Sequence, residues 1–371
     1  MSKRTYEDLV EGFEKATNLL DVLVAQNHSC FTLTEYKDNL PNGSFDYGGR
    51  QRFIFNSNIA RVTNYNQKRT MRDFAEFLGE NIFVKKGNLK DFTDAFIEKF
   101  FPKYKKTNFN KNKKAKKEIL KALIDYYIDL KMFGMTLTVT GLNGQYTGPI
   151  QVYDSESLND VYTNEDDASI TTCLVEKKSS GSKRNKEGSG VGKSYKIRYA
   201  LMSGFSEIRP QLSEFYNLTY RDIKKFDMFN ALAPSHCISH SKGNRRTRLY
   251  LRFESKTKLF AMEDIGKTMK FIPLVEPRLV STINDYEIDV TETVKTLNKV
   301  KEHITAVYLY EKTDVGNGIK YFVNKKDENG NIEKSETMPF SQILKKYISD
   351  MKVVEINPYA EIEEGYYTNN S

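Results

Sequence analysis

The feature that most constrains the fold is a glycine-rich stretch at residues 129–161. It reads DLKMFGMTLTVTGLNGQYTGPIQVYDSESLNDV. Apolar and polar residues alternate over 130–134, and Leu137 and Val139 resume the alternation, which predicts a half-buried strand. Sharp changes of backbone direction are then predicted at Gly141, Gly144, Gly148 and Pro149. Main-chain N–H groups in such a run bind phosphate beside a sheet edge, but an ordinary hairpin connection has the same pattern.

Composition limits the class of protein. The chain has 371 residues, of which 39% are hydrophobic and 29% charged, so we expect a globular protein with a sizeable core or two small domains. The net charge of +8 is modest, so the distribution of the charge matters more than its sum. Three cysteines without a CxxC spacing predict buried thiols rather than disulfides. No run of 18 apolar residues and no signal-peptide core is present, which favours a cytoplasmic protein.

The chain divides into three parts. Residues 1–27 contain the pattern of an amphipathic helix over 5–25. We expect the apolar face of this helix to pack either on its own domain or on a neighbouring subunit. Residues 28–350 form the main domain, and residues 351–371 form a polar tail. Within the main domain, residues 81–127 are a basic insertion, because residues 99–121 contain ten lysines and one glutamate. The last part of this insertion is predicted to be a helix that starts near Lys113.

Further elements follow from periodicity and capping signals. Strands are predicted at 30–36, 169–175, 195–202, 247–253 and 320–323. Helices are predicted at 67–78, 218–232 and 340–348, the second with Thr219 as N-cap and Asp222 in a capping-box position. A strand at 285–290, a helix at 292–303 and a strand at 305–310 form a β-α-β unit that would complete a ferredoxin-like sheet. The fold class is therefore α+β.

Lysines and arginines cluster on several separate segments of the chain. Such clusters are typical of proteins that bind the phosphate backbone of a nucleic acid. Lys68 and Arg72 are four residues apart on a predicted helix, so they project from one side. The candidate cations are Arg50, Arg52, Lys68, Arg69, Arg72, Lys183, Arg184, Lys186, Lys193, Lys242, Arg245 and Arg246. Solvated surface charge is the alternative interpretation of each cluster.

The sequence contains three weak catalytic or metal-binding patterns. The run at 188–194 has the spacing of a phosphate-binding loop, but a strand pattern follows it instead of a helix. His236, Cys237 and His240 lie on a predicted loop and lack a fourth metal ligand nearby. A metal-independent ribonuclease needs a base that titrates near neutrality. The only histidines are His28, His236, His240 and His303.

Several short motifs, in order, resemble the backbone subunit of type I CRISPR Cascade complexes, in its subtype I-B form. They are the Pro-Asn-Gly turn at 41–43, the Lys-Arg helix from 67, the strand ending at 129–134, Gly-Pro-Ile-Gln at 148–151, the Leu-Thr helix from 218 and the basic loop at 239–246. Residues 129–134 match the family's Asp-Val-Arg-Leu-Phe-Gly with Lys131 in place of Arg. The turn continues with Ser44-Phe45 where the family has Asp-Pro, and His240 replaces a family Arg. The resemblance covers residues 31–253.

The resemblance implies an RRM-like palm of the RAMP superfamily with a helical insertion and a β-hairpin thumb at 175–197. It implies a scaffold with no catalytic residue, metal or cofactor. The implied partners are CRISPR RNA, further copies of the chain along that RNA, other Cascade subunits and target DNA that pairs with the spacer. Gln151 would contact the RNA, and Val191 is the candidate wedge between bases. The alternative is an RNA-cleaving endoribonuclease of the same superfamily, for guide processing or target RNA cleavage.

Overall fold

The computed structural model describes residues 22–40, 51–84, 89–105, 108–137, 141–176, 187–237, 243–313, 318–326, 331–348 and 350–359. Its strands are β1 (His28–Asn39), β2 (Arg61–Val62), β3 (Gly134–Leu137), β4 (Gly144–Thr147), β5 (Ile150–Val152), β6 (Ser155–Ser157), β7 (Thr163–Glu176), β8 (Glu187–Ile208), β9 (Arg245–Ser255), β10 (Lys270–Pro273), β11 (Tyr286–Asp289), β12 (Ile304–Glu311), β13 (Tyr321–Phe322), β14 (Asn324–Lys326), β15 (Ile332–Lys334) and β16 (Val353–Glu355). Its α-helices are α1 (Asn64–Phe77), α2 (Leu89–Phe100), α3 (Lys113–Tyr126), α4 (Ile128–Phe133), α5 (Ser213–Tyr216), α6 (Tyr220–Leu232), α7 (Thr291–Val300) and α8 (Phe340–Tyr347). The chain is α+β, as the sequence predicted.

The main sheet is built around β1. Its strand order is β16-β12-β9-β1-β8-β6-β2, and β5 and β7 also pair with β8. β1 pairs antiparallel with β8, where Phe31 faces Phe205, and antiparallel with β9, where Phe31 faces Leu251. β8 and β9 are therefore parallel to each other, and α6 lies between them in the chain. This is a split β-α-β arrangement with β1 in the middle.

The predicted β-α-β unit at 285–310 is wrong in one respect. Its strands and helix form, but β11 lies in a separate three-stranded sheet of order β10-β11-β13, whereas β12 pairs with β9 in the main sheet. Tyr286 and Ile288 of β11 are fully buried in the core between the two sheets. A local strand-helix-strand pattern looks the same whether or not its strands share a sheet, because pairing partners are chosen by long-range contacts.

Each face of the main sheet is covered. Phe31 and Leu33 of β1 point into the core shared with the small sheet, α7 and α8. Cys30, the residue before Phe31, points to the opposite core, where Phe74 of α1 and Phe226 of α6 pack. This period of two is the strand signal on which the prediction of β1 depended.

The insertion has a core of its own. Phe96 of α2, Ile119 and Leu123 of α3, and Leu130 of α4 are buried together in a third cluster. α3 begins at Lys113 as predicted, and the side chain of Asn112 caps it by accepting a hydrogen bond from the Ala115 N–H at 3.0 Å. The lysine-rich composition did not predict α2.

The strand predicted at 130–134 is a helix instead. α4 covers Ile128–Phe133 and ends at Gly134, whose φ of 72° lies in the left-handed region. Over six residues, two helical turns and an alternating strand bury similar positions, so periodicity does not separate them. After Gly134, β3 pairs antiparallel with β4. The hairpin interpretation of the glycine-rich run is therefore confirmed.

The structure differs from the sequence prediction at two other places, residues 22–25 and the basic loop at 176–193. Residues 22–25 are not helical; the Val24 N–H donates to the Leu218 carbonyl at 2.9 Å. The rest of the predicted helix at 5–25, the turn at 41–43 and the tail from residue 360 lie outside the described residues.

The basic loop predicted over 176–193 is shorter than expected, because β7 runs to Glu176 and β8 begins at Glu187, with Glu176 facing Glu187. The glycine-rich run at 188–194 thus lies within a strand.

Candidate nucleic-acid interface

The candidate interface is centred on α1. Its first turn is anchored to the segment between β5 and β6: the Asn64 N–H donates to Asp154 Oδ1 at 2.9 Å, and Gln67 Nε2 donates to the Tyr153 carbonyl at 2.8 Å. Met71 and Phe74 are buried, as predicted. The helix therefore presents its remaining faces in a fixed orientation.

Lys68 and Arg72 project from one side of α1, as their spacing predicted. Both cations lie over the ring of Phe133, at 5.4 Å for Lys68 Nζ and 5.6 Å for Arg72 Cζ from the ring centroid. Burial lowers the pKa of Lys68, and the positive charge of Arg72 lowers it further. Phe133 was missed as a site residue, although it stands in the same motif.

Arg72 is held by a carboxylate. Its Nε donates to Asp129 Oδ2 at 3.1 Å, and the Asp129 side chain is buried. Asp129 also accepts from the backbone N–H groups of Phe83 at 2.9 Å and Val84 at 3.1 Å. Within the described part of the chain, no carboxylate pairs with Lys68. The site thus contains one neutralised cation and, beside it, one partly desolvated cation without a counter-charge.

Arg69 does not join this pair. Its Nε lies 2.7 Å from Asp73 Oδ1, four residues along α1, and both side chains are about half exposed. The structure therefore brings together two of the three cations predicted on this helix.

Arg245 lies under the first turn of α1 rather than on the surface. It is 2% exposed, its guanidinium lies 5.6 Å from the centroid of the Tyr36 ring, and its Nη1 donates to Asn66 Oδ1 at 3.4 Å. Arg246, the next residue of β9, is exposed, and Arg52 is half-buried near β2. The pairing of β9 with β1, which places Arg245 beside Tyr36, is not readable from local sequence.

Gln151 has an internal partner. Its Nε2 donates to the Gly148 carbonyl at 2.6 Å, which holds the Gly-Pro turn before β5. Lys131, which replaces the family Arg, also has an internal partner: its Nζ lies 2.8 Å from Asp222 Oδ2 at the start of α6.

Several predicted site residues are not described. Arg50, Lys183, Arg184, Lys186 and Lys242 lie outside the described residues. Val191 and Lys193 lie on β8, opposite Thr172 and Ile170 of β7, but only their backbone is described.

The histidines that the structure describes are engaged in packing. His28 is buried, with its Nδ1 3.1 Å from Arg252 Nη1. His236 lies with its Nδ1 3.0 Å from the Leu232 carbonyl and its ring 4.7 Å from that of Phe74. The ring of His303 stacks on Phe260. His240 lies outside the described residues.

Metal-binding groups and membrane-spanning helices were both sought among the described residues. Among the residues with described positions, no three His, Cys, Asp or Glu side chains are grouped so as to hold a metal ion. Nor does any described helix have the length and apolar character needed to cross a bilayer.

The fold and the site define a class: an α+β protein with helices on both faces of a mixed sheet, a helical insertion, a long β7–β8 hairpin and an unneutralised cation on the helix at the sheet edge. Residues 26–291 match the family described as CRISPR-associated protein Cas7. The chain belongs to this family. The resemblance to the type I Cascade backbone subunit is thereby confirmed, and the subtype stays a prediction.

Individual proteins and solved structures are similar to this chain to different degrees. A protein of Haloferax volcanii named CRISPR-associated protein Cas7 is 25% identical over 293 residues, which cover 74% of this chain and 83% of that protein. A chain of a solved structure titled CRISPR RNA-guided surveillance complex, pre-nicking, is 12% identical, with a TM-score of 0.48, and covers 81% of this chain and 96% of that chain. A chain of a second CRISPR RNA-guided surveillance complex is 10% identical, with a TM-score of 0.40, and covers 78% of this chain and 92% of that chain.

Proposed function

We propose that this chain is the non-catalytic backbone subunit of a CRISPR surveillance (Cascade) complex of subtype I-B. Copies of it line up along the CRISPR RNA and leave the spacer bases free to pair with target DNA. Its further partners are the other Cascade subunits, and its compartment is the cytoplasm. Family membership supports this role, since sequence reading in RNA-guided effectors is delegated to the guide.

The observation that carries the proposal is the environment of Lys68. A half-buried ammonium group beside a second cation is electrostatically unfavourable unless an anion is nearby. Asp129 already neutralises Arg72, so the missing counter-charge belongs to Lys68. An RNA phosphate supplies such a charge, and a single strand offers one at every nucleotide.

The other site residues extend this surface. Arg246 is exposed and Arg69 is half exposed, so both are available to the RNA backbone. Arg72 and Arg245 contribute mainly by positioning α1, because their guanidinium groups already contact Asp129 and Asn66. The proposal includes phosphate contacts from Arg50, Arg52, Lys183, Arg184, Lys186, Lys193 and Lys242, a contact from Gln151, and Val191 as the wedge between bases.

The domain organisation is part of the same proposal. Residues 28–350 act as an RRM-like palm with the insertion at 81–127, and the β7–β8 hairpin acts as the thumb at 175–197. Residues 1–27 and 351–371 are appendages of this palm.

Co-purification tests the proposal. The chain is expressed with its CRISPR array and neighbouring subunits, purified through a tag on the chain, and its bound RNA is sequenced. We expect a multimer that contains RNA of uniform length, measured by size-exclusion chromatography with light scattering. A monomer free of RNA in the presence of the cognate guide would overturn it. Incubation with labelled repeat RNA, with and without divalent metal, distinguishes the scaffold from an endoribonuclease.

A further inference from the structure

We propose that an acidic groove beside β8 binds a linear aliphatic polyamine, which is a flexible hydrocarbon chain with ammonium groups spaced along it. The groove has a volume of about 870 Å³ and lies between β8, the segment between β5 and β6, and residues 261–269. The charged residues of its lining are five carboxylates and one lysine: Asp154, Glu156, Glu207, Glu263, Asp264 and Lys267. The inference goes beyond the proposed function and does not depend on RNA binding.

The floor of the groove faces away from α1. Tyr199 and Leu201 of β8 point into the core shared with the small sheet, and Ser203 and Phe205 continue the same face, because side chains alternate along a strand. Gly204, between them, faces α1, since a Cβ there would lie 3.6 Å from Gln67 Oε1. The groove is therefore separate from the cation pair of the candidate interface.

The carboxylates of the groove are only partly neutralised. Three of them have a partner in the described chain, in the pairs Asp154 with the Asn64 N–H, Glu156 with Arg61 and Glu207 with Arg209. Glu263 and Asp264 have no cation within ion-pair distance among the described residues. Burial raises the pKa of Asp264, and the negative charge of Glu156 adds to this effect. An ammonium group in the groove would relieve the repulsion between these carboxylates.

The hydroxyl of Ser203 is an independent indication of a ligand. Ser203 lines the groove and is only 9% exposed, and its Oγ has no hydrogen-bond partner among the described residues. A buried hydroxyl is unfavourable when it lacks a hydrogen bond. Its oxygen accepts hydrogen bonds, and an ammonium group has only donors. A bound ammonium group would therefore supply the missing partner.

Apolar surface between the carboxylates favours a polyamine over a metal ion. The rings of Tyr153 and Phe205 stack with centroids 5.6 Å apart and an interplanar angle of 18°, and Leu158 and Met262 also line the groove. Ring faces attract ammonium groups, and methylene groups pack on apolar surface. No three acidic side chains of the described residues are grouped closely enough to hold a metal ion. Separated carboxylates with apolar surface between them match charges that are spaced along a hydrocarbon chain.

Calorimetric titration of the full chain, purified free of RNA, tests the proposal. Spermidine is the probe, at an ionic strength of about 0.15 M to screen weak surface binding. We expect one spermidine per chain, and binding of putrescine that is about threefold weaker, because putrescine has one ammonium group fewer. Trilysine with blocked ends has the same charge as spermidine on a bulky backbone, and should bind more weakly. Equal or tighter binding of trilysine, or displacement of spermidine by Mg²⁺ at the same concentration, overturns the proposal.

Two variants locate the site. Glu263→Gln with Asp264→Asn should weaken spermidine binding by about tenfold, because two ion pairs are lost. Ser203→Ala should weaken it by about threefold and leave the melting temperature unchanged, since the hydroxyl has no partner in the described chain.

Glu302→Gln with Glu336→Gln, at exposed positions outside the groove, is the matched control and should change the affinity less than about twofold. Unchanged spermidine affinity in Ser203→Ala or in the acidic double variant overturns the proposal. Because the titration contains no RNA, that result would leave the proposed scaffold function untouched.

Discussion

Gly134 and Gly148 lie backbone against backbone. A Cβ on Gly134 would overlap the Tyr146 carbonyl oxygen and the Gly148 amide nitrogen, and a Cβ on Gly148 would overlap the Gly134 amide nitrogen. This contact joins the end of α4 to the turn before β5. It therefore ties the insertion to the main sheet at the position of Phe133, beneath the cation pair of α1.

Gly134→Ala should destabilise the protein strongly. Overlap with backbone atoms costs about 1–3 kcal/mol, in addition to about 1–2 kcal/mol for a Cβ at positive φ. Gly79→Ala is the matched control, because Gly79 also has a positive φ, of 87°, but open space around it. Chemical denaturation of both variants measures the difference, and equal losses would show that the close contact is not important.

Lys68→Ala should weaken RNA binding without loss of stability. For one lost phosphate contact on a single strand, the slope of log affinity against log salt should fall by about 0.7. Lys299→Ala, on α7 away from the candidate interface, is the control. An unchanged slope in Lys68→Ala would assign this lysine to ordinary solvated surface.

Arg72→Ala should lower the stability of the folded protein. It leaves the Asp129 carboxylate buried without its cation, which costs about 3 kcal/mol of unfolding free energy. Arg69→Ala removes only an exposed pair on the same helix and should cost less than about 1 kcal/mol. Thermal and denaturant unfolding measure both, and equal effects would contradict the structural role of Arg72.

His28 should make the fold sensitive to acid. Burial, and then the positive charge of Arg252, lower its pKa well below the usual 6.5. Below pH 6.5 the unfolded chain therefore binds a proton that the folded chain does not, so stability falls as pH falls, by at most about 1.4 kcal/mol per pH unit.

Denaturation of the wild type and of His28→Gln at pH 7.5 and 5.5 measures this contribution. The wild type should lose more stability on acidification than His28→Gln does. His303→Gln, at an exposed ring, should behave like the wild type. Parallel losses in all three proteins would contradict the assignment.

Replacement of residues 177–186 by a short Gly-Ser turn should separate folding from assembly. The main cores lie elsewhere, so the melting temperature of the monomer should stay nearly unchanged. RNA-dependent multimerisation and the regular footprint on the RNA should be lost. A scrambled segment with the same ten residues is the control for charge alone. Normal spacing and normal protection in the Gly-Ser variant would show that the hairpin is not a thumb.

Local signals accounted for much of the fold. The capping box of α6 is an example: Thr219 donates its N–H to Asp222 Oδ2 at 2.9 Å, as the sequence predicted. β1, α1 and α3 were similarly predictable, because alternation, helical spacing and N-caps act over a few residues.

Long-range choices were not predictable. The ion pair between Arg72 and Asp129 joins residues 57 positions apart, and the burial of Arg245 depends on how β9 pairs with β1. α4 was mistaken for a strand because six residues are too few for the period to decide. The sequence therefore predicted which cations belong to the candidate site. Only the structure shows that Arg72 is paired with a carboxylate and that Lys68 is not.

β8 extends well beyond its neighbour β1 in the main sheet. Its pairing with β1 ends at Ile197, whereas its pairing with β7 continues to Glu187. Residues 187–196 therefore belong to a two-stranded ribbon of about 33 Å at ~3.3 Å per residue. A two-stranded ribbon alone is only marginally stable in water, so its amide hydrogens should exchange rapidly in the free chain and slowly once RNA or a neighbouring copy packs against it.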